Sequence, residues 1–398
     1  MEVTICYYFS SKEFMTKEIN NILKDSTSAV VLSSTTNNIM NLSSIGTHTY
    51  RTYIKPREYG NFVWKIWHSN TVDSTWDDGS VTRANLSGGE WRIDSACLAD
   101  GGVIADGSII PDSQVKITFN GYNYKNVLPD EKFSSDPIQF NIPKDHYLVF
   151  TWTISNQSTG LVIPYNCETN LVPVYDAPGD CSNEENGDLF NTSENTLVLP
   201  ALISYNKTVI KKIGFLGDSI TQGVRTKEDG YEYWVSKIAE GLGTEYGVWN
   251  IGSGWARAND AATDGAWLYK AKQNDEMVVC LGVNDIGTLN RNSEELIQDL
   301  KAILNKIKEC NPSCKIILLT VPTFDFTAEQ EINWRKTNDF IRSNSLPTVD
   351  RIFDIAAVLS GEAPKDNLEK AEYHSNFDDP HPNGRAGTAI ADAFLEWY

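Results

Sequence analysis

Ser219 closes the segment Lys212-Ile213-Gly214-Phe215-Leu216-Gly217-Asp218-Ser219. Its apolar run reads as a buried strand, and Gly217-Asp218-Ser219 as a tight strand-to-helix turn. A serine there stands at the carboxyl end of a parallel sheet, where open α/β folds place their ligands. Serine becomes a nucleophile when a base removes its proton and a third group orients that base. The candidate base is His381, in Asp378-Asp379-Pro380-His381-Pro382-Asn383-Gly384. Asp378, three residues earlier, is the candidate orienting carboxylate, with Asp379 as its alternative and His374 as an alternative base. A developing oxyanion also needs donors. Gly252-Ser253-Gly254 can bring a backbone N–H close to a substrate, and Gly282-Val283-Asn284-Asp285 offers the Asn284 amide. With the Ser219 N–H these make three donors, the equipment of acyl transfer. The competing reading, that Ser219 only caps a helix, leaves the other blocks without a role.

The elements that must position these residues follow from periodicity. After Ser219, Tyr233–Glu240 reads as a helix, Gly247–Gly252 as a strand entering a glycine turn, and Met277–Gly282 as a nearly all-apolar strand. The last pattern suits a parallel sheet covered on both faces. Ser293–Lys308 carries Leu296, Ile297, Leu300, Ile303, Leu304 and Ile307 on one helical face. A strand at Lys315–Val321, a helix at Thr327–Ser343, a strand at Arg351–Ile355 and a last helix from Asn383 or Gly384 to Tyr398 complete a βαβα alternation. The expected fold is α/β, a flavodoxin-like three-layer domain over 206–398.

Upstream the period is that of strands. Arg51–Lys55, Phe62–His68, Trp91–Leu98, Gln114–Phe119, Ile138–Ile142 and Tyr147–Ile154 are short, β-branched and aromatic. They predict an all-β sandwich of jelly-roll type over 1–205. Trp64, Trp67, Trp76, Trp91 and Trp152 invite a sugar-stacking reading, but strand alternation assigns most of them to the core. His48, His68 and His146 read as structural. The Ser/Thr/Asn-rich stretch 26–44 offers little pattern, and 176–200 reads as a polar insertion or inter-domain connection.

Fifty-three acidic residues against 34 basic ones leave a net charge of -19 over 398 residues. That balance speaks against a nucleic acid or an anionic membrane as partner. No signal peptide or bilayer-spanning run is evident, so the expected location is cytoplasmic as given, or secreted if an export signal precedes this start. Seven cysteines, an odd number, suggest reduced thiols; Cys310 and Cys314 could form a local disulfide or flank a turn. Neither a zinc-type Cys/His cluster nor a phosphate-binding loop occurs, and no cofactor or metal is expected.

Gly217-Asp218-Ser219-Ile220, Asn250–Gly254, Gly282-Val283-Asn284-Asp285 and Asp378-x-x-His381 resemble, in order, the four blocks of the SGNH (GDSL-type) esterase and lipase family. The resemblance implies Ser219 as nucleophile, His381 as base and Asp378 as its orienting acid. It implies Gly254 and Asn284 as oxyanion donors, and Asp218 and Asp285 as residues that fix turns. The second block is one residue shorter than the commoner form, which leaves Gly252 as an alternative to Gly254. Trp255, next in line, would narrow the site against bulky acyl chains. The upstream strands resemble the β-sandwich of some bacterial two-domain members, an architecture also found among carbohydrate esterases. The implied activity is hydrolysis of a short acyl ester, acetyl first, on carbohydrate. Longer-chain lipase action and non-catalytic carbohydrate binding are the competing readings. Oligomeric state is left open.

Overall fold

The computed structural model describes residues 22–43, 46–76, 83–168, 171–376 and 379–398. The amino-terminal part is built from two larger antiparallel sheets and a two-stranded pair of Asn38–Leu42 with Gly160–Tyr165. In one, the long strand Gly60–Ser69 pairs with Leu202–Tyr205, Lys132–Ser134 and Ile138–Ile142. In the other, Leu148–Asn156 lies between Thr47–Ile54 and Trp91–Asp100. The sheets face each other through aromatic rings. His68 of the first sheet meets Trp91 and Trp152 of the second edge-on, each at 5.6 Å between centroids. Burial without a hydrogen-bond partner holds its imidazole neutral, with a pKa lowered to about 3. Trp64, Trp67, Trp91 and Trp152 are all buried; alternation puts Trp64 and Trp67 on opposite faces of Gly60–Ser69, so both faces of that strand are covered. His48 and His146 face the carboxylates of Asp176 and Asp100.

Two upstream expectations change. Residues 176–200 are not simply a connection: Val174–Pro178 pairs along Thr47–Ile54, and Asn191–Thr192 pairs with it in turn. Polar composition concealed this edge because its strands are short and only partly buried. Gln114–Phe119 shrinks to a strand at Val115–Lys116 followed by a bridge from Phe119 to Tyr122.

From Lys211 the chain forms a five-stranded parallel sheet: Lys211–Gly217, Tyr246–Asn250, Glu276–Cys280, Lys315–Leu319 and Arg351–Phe353. Numbered along the chain, their order across the sheet is 2-1-3-4-5. The strand order reverses beside the first strand, so the crevice at its carboxyl end is where this architecture holds a ligand. Helix Ser293–Cys310 buries Leu296, Leu300, Ile303, Leu304 and Ile307, and a capping box of Asn292 and Glu295 sets its start. Cys310 and Cys314 are free thiols. Among the described residues no helix is long and apolar enough to cross a membrane.

The two parts join through an interface with polar and aromatic contacts. Lys270 and Asp73, each about 1% exposed, form an ion pair at 2.5 Å. Trp67 stacks on Tyr269 with centroids 5.8 Å apart.

Candidate active site

The nucleophile turn is set by its own residues. Ile213, Phe215 and Leu216 anchor the strand Lys211–Gly217 in the core. A Cβ on Gly217 would come within 2.0 Å of Thr221 Oγ1 and 2.6 Å of the Cys280 carbonyl, so only glycine fits there. Asp218 caps the short helix Ser219–Gln222: its Oδ1 accepts the Ile220 N–H at 3.0 Å. Gly223, at φ 108°, ends that helix in a left-handed conformation. Ser219 is thereby fixed, 5% exposed, at the first helical position. Its N–H is one of the first-turn donors that no carbonyl inside the helix can satisfy.

Ser219 Oγ lies 2.9 Å from His381 Nε2. The other ring nitrogen, Nδ1, is 2.5 Å from Asp379 Oδ1. Among the described residues the carboxylate on the imidazole is that of Asp379; Asp378 lies outside the described residues. The physical reason is local. Asp379 Oδ1 also accepts the His381 backbone N–H at 3.1 Å, an Asx-type bond two residues on that aims the carboxylate at its own neighbour's ring. Arg225 Nε holds the second oxygen at 2.8 Å. The His381 bond, reinforced by that guanidinium, keeps the Asp379 carboxyl well below the usual range although partial burial opposes it. Phe324 meets the imidazole edge-on at 5.0 Å. His374 is not at Ser219; it lies 3.5 Å from Asp325 and 3.6 Å from Glu369.

The donor side also differs from expectation. The Gly254 N–H is engaged by Gln222 Oε1 at 2.5 Å, and the Gly252 N–H by Asn250 Oδ1 at 2.9 Å. Both glycines lie where the sequence placed them, but in this conformation neither N–H points into open space. The shortened block folds tightly against the nucleophile turn: a Cβ on Gly252 would sit 2.4 Å from the Gln222 nitrogen. Asn284, 8% exposed at the start of helix Val283–Gly287, gives one amide hydrogen to the Ala256 carbonyl at 2.9 Å. A carboxamide has two such hydrogens, so a second remains for an oxyanion. Asp285 ties the two donor loops together, accepting from the Ala258 N–H at 2.9 Å and pairing with Arg291 at 3.2 Å. Burial raises Asp218 to about 7 and Asp285 to about 6.

Residues of the β domain that sequence reasoning passed over reach the same loop. Ser33 and Thr35 hydroxyls both donate to the Gly252 carbonyl at 2.6 Å, Asn37 Nδ2 to the Gly254 carbonyl at 3.4 Å, and Ser74 Oγ lies 2.5 Å from Ser253 Oγ. Ser33, Thr35 and Asn37 come from the patternless stretch 26–44. A hydroxyl bonded to a carbonyl more than 200 residues away leaves no periodic signal in sequence.

Residues 215–386 match the model of the GDSL-like Lipase/Acylhydrolase family. Among similar solved structures is a putative lipolytic protein of the G-D-S-L family from Desulfitobacterium hafniense, 18% identical, covering 47% of this chain and 99% of that one at a TM-score of 0.38. Family two carbohydrate esterases from Clostridium thermocellum and Cellvibrio japonicus align over 94% of this chain and 97% and 96% of theirs. Their identities are 12% and 13% and their TM-scores 0.35 and 0.34. No curated protein matches the sequence. The carboxyl-terminal half is a GDSL/SGNH-like catalytic domain, preceded by a separate antiparallel β domain. With its Ser219–His381 dyad the protein is a serine hydrolase.

Proposed function

We propose that this hydrolase cleaves short acyl esters, acetyl first, carried by a carbohydrate alcohol, through an acyl-enzyme. The observation that carries the reading is the continuous chain Ser219 Oγ–His381 Nε2 and His381 Nδ1–Asp379 Oδ1. His381 takes the Ser219 proton as Oγ attacks the ester carbonyl, and Asp379 stabilises the imidazolium that forms. The Ser219 N–H and the Asn284 amide hold the tetrahedral oxyanion; Gly254 joins them when Gln222 releases its N–H. His381 then protonates the leaving alcohol, and a water activated by the same imidazole cleaves the acyl-enzyme. The strand order 2-1-3-4-5, that of flavodoxin-like sheets, agrees with this placement of the reacting groups. We divide the chain after Tyr205, the end of the last strand in the antiparallel sheets.

Two features favour a short acyl group on a hydroxyl-rich alcohol. Trp255 stands 37% exposed immediately after the Gly252–Gly254 loop, and an indole at that position would narrow the site against a long chain. The cleft beside Arg225 carries the charged groups of Glu168, Arg225 and Glu228. The test is hydrolysis of p-nitrophenyl acetate, butyrate and octanoate, with acetylated xylose and xylan alongside, by wild type and Ser219→Ala. Acetate-selective turnover lost in the variant supports the reading. Octanoate preference, or turnover equal in both proteins, overturns it.

A further inference from the structure

A cleft of about 340 Å³ opens beside the site, lined by Glu168, Leu171, Val224, Arg225, Thr226 and Glu228. Glu168 and Leu171 belong to the β domain and the others to the loop that follows the nucleophile turn, so the cleft exists only where the two meet. We infer that Glu168 and Arg225 form a subsite for the hydroxyl groups of the leaving alcohol, making a β-domain residue a determinant of substrate choice. The inference rests on the ester reading above.

Glu168 is held where it can act on a ligand. Its backbone N–H donates to Asn166 Oδ1 at 2.7 Å. Asn166, fully buried, donates to the Thr35 carbonyl at 2.8 Å and accepts from Gln222 Nε2 at 3.4 Å. One side chain thus fastens the base of Glu168 to the helix that carries Ser219. The Glu168 Cγ lies 3.0 Å from where a Cβ on Gly254 would be, against the donor loop itself. Burial raises its pKa, while Trp76 and the charges of Arg225 and His381 oppose the rise. Its carboxyl therefore stands within the field of the dyad without forming an ion pair among the described residues.

Arg225 approaches from the other wall. Its backbone is left-handed, at φ 70°, a conformation uncommon for a long side chain and one that clusters at functional sites. One N–H is committed to Asp379; the rest of the half-exposed guanidinium has no acceptor among the described residues. The cleft therefore presents an acceptor and a fixed fork of donors on facing walls. Adjacent sugar hydroxyls, each both donor and acceptor, match that pair. Leu171 and Val224 supply apolar surface for the ring's C–H face. An aryl leaving group without hydroxyls uses none of these polar contacts.

The experiment compares kcat/KM for acetylated xylose with that for p-nitrophenyl acetate in wild type, Glu168→Gln and Glu168→Ala. Losing a hydrogen bond to a charged group lowers the sugar-to-aryl ratio about 10- to 100-fold in the alanine variant, chiefly through KM. The glutamine variant, which keeps the shape and one acceptor oxygen, falls between. A second arm measures binding of acetylated xylose to Ser219→Ala and to Ser219→Ala/Glu168→Ala by calorimetry, where turnover plays no part. A dissociation constant at least tenfold weaker in the double variant supports the subsite. An unchanged ratio or unchanged binding overturns it. Absence of Ser219-dependent aryl acetate turnover overturns the ester reading instead, and the calorimetric arm still decides the role of Glu168.

Discussion

The two halves of the reacting pair are held in contrasting ways. Ser219 sits on a turn whose every neighbour is buried: a core strand before it, an Asp218 cap, a glycine on each side, and a donor loop clamped by four polar side chains of the β domain. His381 sits on a four-residue strand, Asp379–Pro382, paired among the described residues with His374–Asn376, with its ring and its carboxylate partner each nearly a fifth exposed. The serine side is thus positioned by packing over long sequence distances. The histidine side is positioned by few contacts: the local bond from Asp379, the Arg225 bond to that carboxylate and the edge-on ring of Phe324. A rigid nucleophile and a lightly held base fit a mechanism in which the imidazole must serve oxygen atoms of serine, leaving alcohol and water in turn.

Breaking either half should show this difference. Ser219→Ala and His381→Ala are each expected to lower kcat by about 10⁴-fold or more, and the double variant to lose little beyond either, because the pair acts as a unit. Additive losses would mean that the two act separately. Asp379→Asn should cost about 10³- to 10⁴-fold by leaving the imidazole in the wrong tautomer. Asp378→Asn should cost far less, and the opposite ranking would return the acid role to Asp378.

On the serine side, Lys270→Met leaves the buried Asp73 carboxylate unpaired and should destabilise the protein by about 3–5 kcal/mol. Thermal unfolding reads this, and Lys270→Met/Asp73→Leu should recover most of the loss. Asn284→Ala should lower kcat by about 10²-fold with KM nearly constant; a KM effect alone would remove Asn284 from the oxyanion site.

The smallest effect concerns pH on the histidine side. Glu369 faces Asp325, Asp379 and His374, and burial raises its pKa to about 9. The native state therefore keeps a proton that the unfolded chain releases near its ordinary value. The contribution of Glu369 is complete below that value and declines as pH rises toward about 9. Glu369→Gln should flatten the fall in unfolding temperature across that window by a few degrees. Parallel curves for the two proteins would show that the carboxyl does not titrate there.

What the sequence disclosed was what short-range patterns encode. The Gly217–Ser219 turn, the amphipathic Ser293–Cys310 helix and the nearly all-apolar Met277–Gly282 strand each carry their own local pattern, so element type and order were readable. The role of Asp379 was not, because it depends on its carboxylate accepting the main-chain N–H of His381 two residues on. The commitment of the Gly254 N–H to Gln222 and the grip of Ser33, Thr35 and Asn37 depend on tertiary placement and leave no spacing to count. The Val174–Pro178 and Asn191–Thr192 strands were hidden by polar composition at a sheet margin.

Trp255 carries one more consequence. Its backbone is left-handed at φ 64°, and its ring stands in solvent directly after the donor loop. Six of the 11 tryptophans, Trp64, Trp91, Trp152, Trp234, Trp267 and Trp334, are sealed in the core. Their emission is shielded from a soluble quencher such as acrylamide, whereas that of Trp255 is open to it. Trp76 and Trp397 are also partly accessible, so the difference in quenching between wild type and Trp255→Phe isolates the share of Trp255, a native optical probe next to the donor loop that needs no label.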